Sequence, residues 1–226
     1  MKLLVAIPAF NEEKMIAQVI KSIPGKIAGI KKRDILVVDD GSTDRTFEKA
    51  QKHGAIVVRH IINRGLGGAI KTAMDFARRE GYQILITIDA DGQHEPGSIP
   101  LFIKKVIDSH KDVVVGSRWL KAGSAPRTRI IVNKLANLLT YFFYGINTSD
   151  SQSGYRAFGP KALDRVRLQA DGMEVSSEVF REIAKNRLSY AEIPIRVIYT
   201  EYSKAKGQRI TNAPKIILQL LVRLFK

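Results

Sequence analysis

Hydrophobic residues in the first hundred positions fall into short, nearly unbroken runs separated by longer mixed segments. The runs at 2–8 (KLLVAIP), 34–40 (DILVVDD), 55–60 (AIVVRH) and 83–90 (QILITIDA) are rich in Val, Ile and Leu. They lack the polar alternation that one solvated face would impose, which predicts strands covered on both faces. Between them, 12–22, 42–53 and 65–80 read as helices, and Ser42-Thr43-Asp44 offers an N-cap to the second. This β-α-β-α-β-α-β order predicts a parallel sheet with right-handed crossovers, in which ligands bind beyond the carboxyl ends of the strands. Asp39-Asp40 and Asp89-Ala90-Asp91 fall at such ends, so both carboxylate pairs are expected to line one crevice.

Past Pro96 the pattern loosens. It predicts a helix over 97–109, a strand over 112–117 and a loop containing Gly123, Pro126, Arg127 and Arg129. An apolar stretch at 130–146 follows, interrupted by Asn133, Lys134 and Asn137, and reads either as a core helix or as a membrane-facing surface. Next come a polar turn (NTSDSQSG), a strand over 155–159, a helix over 174–186 and strands near YAEIPI and RVIYT. In the closing segment, Lys215, Gln219, Arg223 and Lys226 form one polar stripe on an otherwise apolar helix. Such a helix is too short to span a bilayer but suited to lie in its interface or to dock on a membrane partner.

The chain has 226 residues and no segment reading as a linker. One domain is therefore expected, long enough to bury roughly 70% of the surface its unfolded form exposes. Cysteine is absent, which excludes disulfides and thiolate metal sites and suits a cytosolic setting. The N-terminal apolar run ends in Pro8, Asn11, Glu12 and Glu13 and reads as a first strand rather than a signal peptide. No uncharged apolar run approaches the roughly 20 residues of a membrane span, so a soluble or peripheral protein is expected. Charge changes the picture more. Residues 1–100 carry 15 Lys/Arg against 12 Asp/Glu, a net of +3, whereas residues 101–226 carry 22 against 10, a net of +12. That asymmetry points to an anionic partner on the second half.

Several chemistries are missing. There is no G-x-x-x-x-G-K-[ST] phosphate loop, and RGLGGA at 64–69 is followed by Ile70 where a dinucleotide fingerprint needs its last glycine. His53, His60, His94 and His110 have no metal-binding spacing. Asp89 and Asp91 offer hard oxygen donors, with Gln93 or His94 beside them, suited to Mg²⁺ or Mn²⁺. Taken alone, the pair reads first as a turn whose Asp caps the next helix.

IPAFNEE (7–13), VVDDGSTDRT (37–46), NRGLGGA (63–69), IDADGQH (88–94) and DSQSGYRAF (150–158) occur in this order. Together they resemble family 2 glycosyltransferases of the GT-A fold, and among those the polyprenyl-phosphate sugar transferases of the dolichyl-phosphate mannosyltransferase type. The resemblance spans about 1–210. It implies a nucleotide-sugar-binding half over 1–96 and an acceptor half over 97–210, and leaves 211–226 as the docking helix read from its polar stripe. By that likeness Pro8, Phe10, Glu12 and Asp39 cradle the nucleoside, and Asp89, Ala90 and Asp91 meet the nucleotide sugar. The metal falls to Asp89, Asp91 and Gln93, and Arg118 lies near the transferred phosphates. Asp150, Ser153, Gly154 and Arg156 frame the acceptor side, with Glu178 and the Ser203-Lys204 pair close by. Two positions depart from the pattern: Ser176 stands where a Gln is usual, and Val197-Ile198 where an Arg is usual.

The expected activity is metal-dependent, inverting transfer of one hexose, mannose or glucose, from a GDP- or UDP-sugar to a polyprenyl phosphate. It would run by direct displacement at the cytosolic face of the membrane, with a small transmembrane partner protein as an option. A lipid phosphate is already an anionic nucleophile, so Arg127, Arg129 and Lys134 are its candidate contacts. A hydroxyl acceptor would instead need a base, for which Glu174 and Glu178 are the candidates. A basic nucleic-acid-binding or regulatory protein without catalysis is the reading from another class. No nucleic-acid partner is expected, because aromatic-rich basic strands and a recognition helix are both missing from the sequence.

Overall fold

The computed structural model describes residues 1–120 and 127–198, with the backbone alone described for 127–129. Ser203, Lys204 and the expected C-terminal helix lie outside the described residues, as do the side chains of Arg127 and Arg129.

Among the described residues seven strands form one sheet. The chain runs β1 (Lys2–Ala9), α1 (Ile16–Ser22), β2 (Lys32–Asp39), α2 (Thr46–Lys52), β3 (Ile56–Arg59), α3 (Gly65–Arg79) and β4 (Ile84–Thr87). After a single 3-10 turn come α4 (Ile99–Ile107), β5 (Val113–Ser117), α5 (Arg127–Tyr144), β6 (Arg156–Phe158), α6 (Pro160–Arg165), α7 (Val175–Lys185) and β7 (Tyr190–Pro194). The strand order is β3-β2-β1-β4-β6-β5-β7. Only β6 runs antiparallel to its neighbours, so the sheet is mostly parallel.

The continuous apolar runs have the expected cause. Along β1, Leu3, Val5, Ile7 and Ala9 enter one core with α1, α2 and α4, while Leu4 and Ala6 enter a second core with α3, α6 and α7. Both faces of the sheet are covered, which gives three layers and removes any reason for polar alternation.

The chain leaves β1 toward β2 and β3 on one side and returns to β4 on the other. That reversal is the switch point at which a crevice opens beyond the carboxyl ends of β1, β2 and β4.

The glycines of RGLGGA serve packing. A Cβ on Gly67 would overlap the Ala170 carbonyl, a Cβ on Gly65 would approach the Asp171 carbonyl, and the Gly68 amide donates to Asp171 O at 3.1 Å. These glycines let α3 dock directly on the 170–172 segment. Gly67→Ala is therefore expected to destabilise the protein by about 2 kcal/mol through overpacking, read as a lower urea midpoint. An unchanged midpoint would refute this account of the motif.

Several boundaries differ from the sequence expectation. Strand β4 ends at Thr87 rather than at 90, because the chain turns out of the sheet through residues 90–92, with Gly92 at φ 73°. Helix α1 starts four residues late, since the backbone just before it is committed to the neighbouring 42–46 loop: the Glu12 amide donates to Thr46 Oγ1 and the Glu13 amide to Asp44 Oδ2. Helix α6 has no counterpart in the sequence expectation.

Candidate active site

Three loops leave the carboxyl edge of the sheet side by side. The register sets Asp39 beside Ala9 on one flank and Arg59 on the other. Asp39 is fully buried, its Oδ1 accepts the Ser42 amide at 3.0 Å, and Arg59 Nε lies 3.2 Å from Oδ2. Asn11 joins the first two loops. Its amide donates to Ser42 Oγ at 2.9 Å and its Oδ1 accepts the Thr43 amide at 2.8 Å, with Asn11 itself at φ 54°. Phe10 stands exposed at this rim, while Glu12 is buried.

Asp40 faces the other way. It accepts His60 Nδ1 at 2.6 Å and the amides of Arg64 and Gly65 at 2.9 and 2.7 Å, so it ties β2 to the start of α3. The expectation that both members of this pair line the crevice is thereby corrected: Asp39 stands at the crevice end and Asp40 is scaffold.

Asp89 and Asp91 sit in the turn after β4. Asp89 retains 37% side-chain exposure yet lies in a recess walled by protein. A Cβ on Gly154 would come within 2.5 Å of its Oδ1, so the glycine makes room for the carboxylate. Burial pushes the Asp89 carboxyl above its ordinary range, opposed by the charges of Arg118 and Arg156. Asp91 is also raised, by burial and then by Asp89, against hydrogen bonds from Gln93. The Gln93 amide N–H donates to Asp91 Oδ1 at 2.9 Å and its side-chain Nε2 to Oδ2 at 2.6 Å. His94 packs behind them, stacked on Tyr155, with Nδ1 3.4 Å from Asp89 Oδ2. Its burial and the nearby Arg118 depress its pKa to about 4, which leaves it neutral near pH 7.

Two mutually repelling carboxylates in a recess are what a divalent cation relieves, and their oxygen donors suit Mg²⁺ or Mn²⁺. Among the described residues no group of three or more His, Cys, Asp or Glu side chains could hold a metal alone. Two carboxylates are a donor set with which Mg²⁺ is commonly held alongside substrate phosphates.

Opposite the pair, Arg118 and Asp150 form a two-point ion pair. Arg118 Nε and Nη2 each approach a separate Asp150 oxygen at 2.7 Å, and the Arg118 amide donates to Oδ2 at 3.0 Å. The loop carrying Asp150 is held from two sides. Glu192 accepts Thr148 Oγ1 at 2.6 Å and the Ser149 amide at 2.9 Å, while Asn133 and Asn137 both donate to Ser149 O at 2.8 Å. Ser153 and Arg156 are buried in the frame. Arg156 donates to the Ser151 and Ser176 carbonyls at 2.8 and 2.9 Å, and burial lowers its pKa to about 10.

Glu178 is inside as well. Its two oxygens accept the Gln169 and Ala170 amides at 3.0 and 2.8 Å, and Arg181 pairs with it at 2.7 Å. Lys134 is exposed on α5. Sequence reasoning does not single out Asn11, Arg59 or Glu192, because each acts through a partner far along the chain.

A doubly covered, mostly parallel sheet with paired acidic residues at its switch point is the architecture of the GT-A fold. The sequence pattern of glycosyl transferase family 2 matches residues 4–167, and the chain belongs to that family and is a glycosyltransferase. It is 36% identical to a UDP-N-acetylglucosamine–dolichyl-phosphate N-acetylglucosaminyltransferase of Methanococcus voltae, over 96% of this chain and 93% of the relative. It is 30% identical to a polyprenol monophosphomannose synthase of Mycolicibacterium smegmatis, over 93% and 83% respectively. Among solved structures it is similar in fold to glucosyl-3-phosphoglycerate synthase from Mycobacterium tuberculosis, crystallised with Mn²⁺, UDP and glucosyl-3-phosphoglycerate. There the TM-score is 0.72 at 22% identity, over 98% of this chain and 79% of that one.

Proposed function

We propose that the protein transfers one sugar, a hexose or N-acetylhexosamine, from a nucleoside diphosphate sugar to a polyprenyl phosphate at a membrane surface. The observation that carries this reading is the Asp89–Asp91 pair, raised in pKa, at the switch point and opposite Arg118. Asp89 and Asp91 would hold a divalent ion, which when bound neutralises charge on the leaving diphosphate. Gln93 holds Asp91 in position through both its amides. Pro8, Phe10, Glu12 and Asp39 line the nucleoside end, and Arg118, fixed by Asp150, supplies positive charge on the phosphate side. A phosphate oxygen of the acceptor attacks the anomeric carbon, the bond to the diphosphate breaks, and the nucleoside diphosphate leaves with the electron pair. One displacement of this kind inverts the anomeric centre.

The relatives that act on dolichyl or polyprenyl phosphate support the lipid acceptor. So does the side-chain chemistry, since an acceptor that is already an anion needs no general base and both oxygens of Glu178 are engaged by backbone amides. The UDP-linked relative makes a UDP-sugar the first donor to try.

The experiment is a thermal-shift panel of UDP- and GDP-sugars with Mn²⁺, followed by transfer assays on polyprenyl phosphate and on a polyprenol. The expected result is stabilisation by one nucleotide class and product from the phosphate alone, with Glu178→Gln leaving the pH profile of kcat unchanged. Product from the alcohol, or a pH-dependent loss in Glu178→Gln, would favour a hydroxyl acceptor instead.

A further inference from the structure

Helix α5 turns its polar side inward and its apolar side out. Asn133, Asn137, Thr140 and Tyr144, at steps of four, three and four, face the protein: the two asparagines hold the 149–151 loop, Thr140 is buried, and Tyr144 packs on the second core. Ile131, Leu135, Leu138 and Phe142, also at steps of four, three and four, form the opposite stripe, with exposures of 67, 43, 61 and 77%. Tyr141 beside them is exposed at 59%. A contiguous apolar stripe of this size on a protein surface marks an interaction site.

Charge identifies its partner. Between Asp112 and Asp150 the sequence carries Arg118, Lys121, Arg127, Arg129 and Lys134 and no Asp or Glu. Lys134 is exposed on the same helix, and an apolar stripe on a segment whose charged residues are all cationic matches the interfacial region of a bilayer containing anionic lipid. Among the described residues no helix is long and apolar enough to cross a membrane.

We propose that the outer face of α5 is the surface by which the protein lies on an anionic lipid bilayer. This rests on the lipid acceptor argued above and adds where the membrane sits. The inner face of the same helix clamps the loop that holds Arg118 through Asp150. Docking on α5 therefore brings lipid headgroups to the side of the crevice where the acceptor phosphate must arrive.

The test is co-sedimentation of the full chain with vesicles of phosphatidylcholine alone or mixed with phosphatidylglycerol, for wild type and for the double variant Leu138→Glu/Phe142→Glu. Both side chains are exposed, so the variant should melt with the wild type; the Leu138→Ala/Phe142→Ala pair serves if it does not. Wild type is expected to bind the anionic vesicles about tenfold or more tighter than the neutral ones, with salt weakening the binding. The variant should lose about tenfold or more on anionic vesicles. Equal binding by variant and wild type would put the docking surface elsewhere and overturn the proposal. So would wild type that ignores vesicles, including the case in which it sediments as a dimer that the variant splits, which would make the stripe a contact between copies.

A short, water-soluble polyprenyl phosphate separates this from failure of the acceptor reading. Wild type and variant should glycosylate it equally, whereas wild type inactive on every polyprenyl phosphate would sink the acceptor reading whatever the vesicles report.

Discussion

Replacing Asp91 with alanine is expected to lower sugar transfer by about three orders of magnitude while leaving the melting temperature of the ligand-free protein at or above that of wild type. The two effects have opposite signs for one reason. In the free protein the Asp91 carboxylate is penalised by burial and by Asp89, and its pKa is raised accordingly. Its folded pKa exceeds its unfolded one, so as a charged group it subtracts from stability above that pKa, and removing it costs the fold little. In the proposed reaction the same charge would hold the divalent cation that neutralises the leaving diphosphate. Alanine also leaves Gln93 without the carboxylate that it holds through two hydrogen bonds, a local loss at a half-exposed turn. Turnover and melting temperature, measured with Mn²⁺ or Mg²⁺ supplied, check the prediction. Near-normal transfer by the variant would end the proposed chemistry.

Asp150→Ala should behave in the contrary way, losing stability and activity together. Asp150 is fully buried and takes three donors from Arg118. Removing it takes the two-point partner from a guanidinium that has 26% of its side chain exposed. Breaking a buried pair from one side costs about 3 kcal/mol, at the low end here because Arg118 reaches some water. Activity should fall about a hundredfold, since a displaced Arg118 no longer meets the developing charge where it forms. The expected split is a fall in kcat with KM for the nucleotide sugar little changed, because the proposed nucleoside contacts lie across the crevice. Asp150→Asn, which keeps one acceptor oxygen, should recover part of both losses. A variant as stable as wild type would mean that the ion pair contributes nothing to the fold.

The parts of the molecule legible in the sequence are those governed by neighbours a few residues away. Runs such as LLVAI and ILVVD announce strands buried on both faces because no position in them tolerates water. The alternation with helical segments then dictates a parallel sheet, and Asp39, Asp89 and Asp91 can be set at strand ends by counting. The short helix α6 escapes the pattern although Pro160 at its first turn is a start signal; six residues hold too little periodicity to register. Strand β4 reads three residues too long because Ile88 and Ala90 are as buried as strand residues, and burial in a turn looks the same in a sequence as burial in a strand.

What local pattern does not supply is the partner of each polar side chain. Asp39 and Asp40 are adjacent and chemically identical, yet one borders the crevice and the other binds the start of α3, a choice made by amides 24 and 25 residues away. Arg118 and Asp150 are separated by 32 residues, and both oxygens of Glu178 accept backbone amides 9 and 8 residues away. The apolar stretch after residue 130 is equally consistent with a core helix and an outward one, because amphipathicity states that a helix has two faces without stating which is buried. Helix and strand type, their order and the acidic strand ends thus follow from the sequence by itself, through short-range sterics and hydrophobic periodicity. The insertion of antiparallel β6 between β4 and β5, the division of carboxylates between site and scaffold, and the outward turn of α5 are decided only in the tertiary structure, where hydrogen-bond partners distant along the chain compete for the same buried groups.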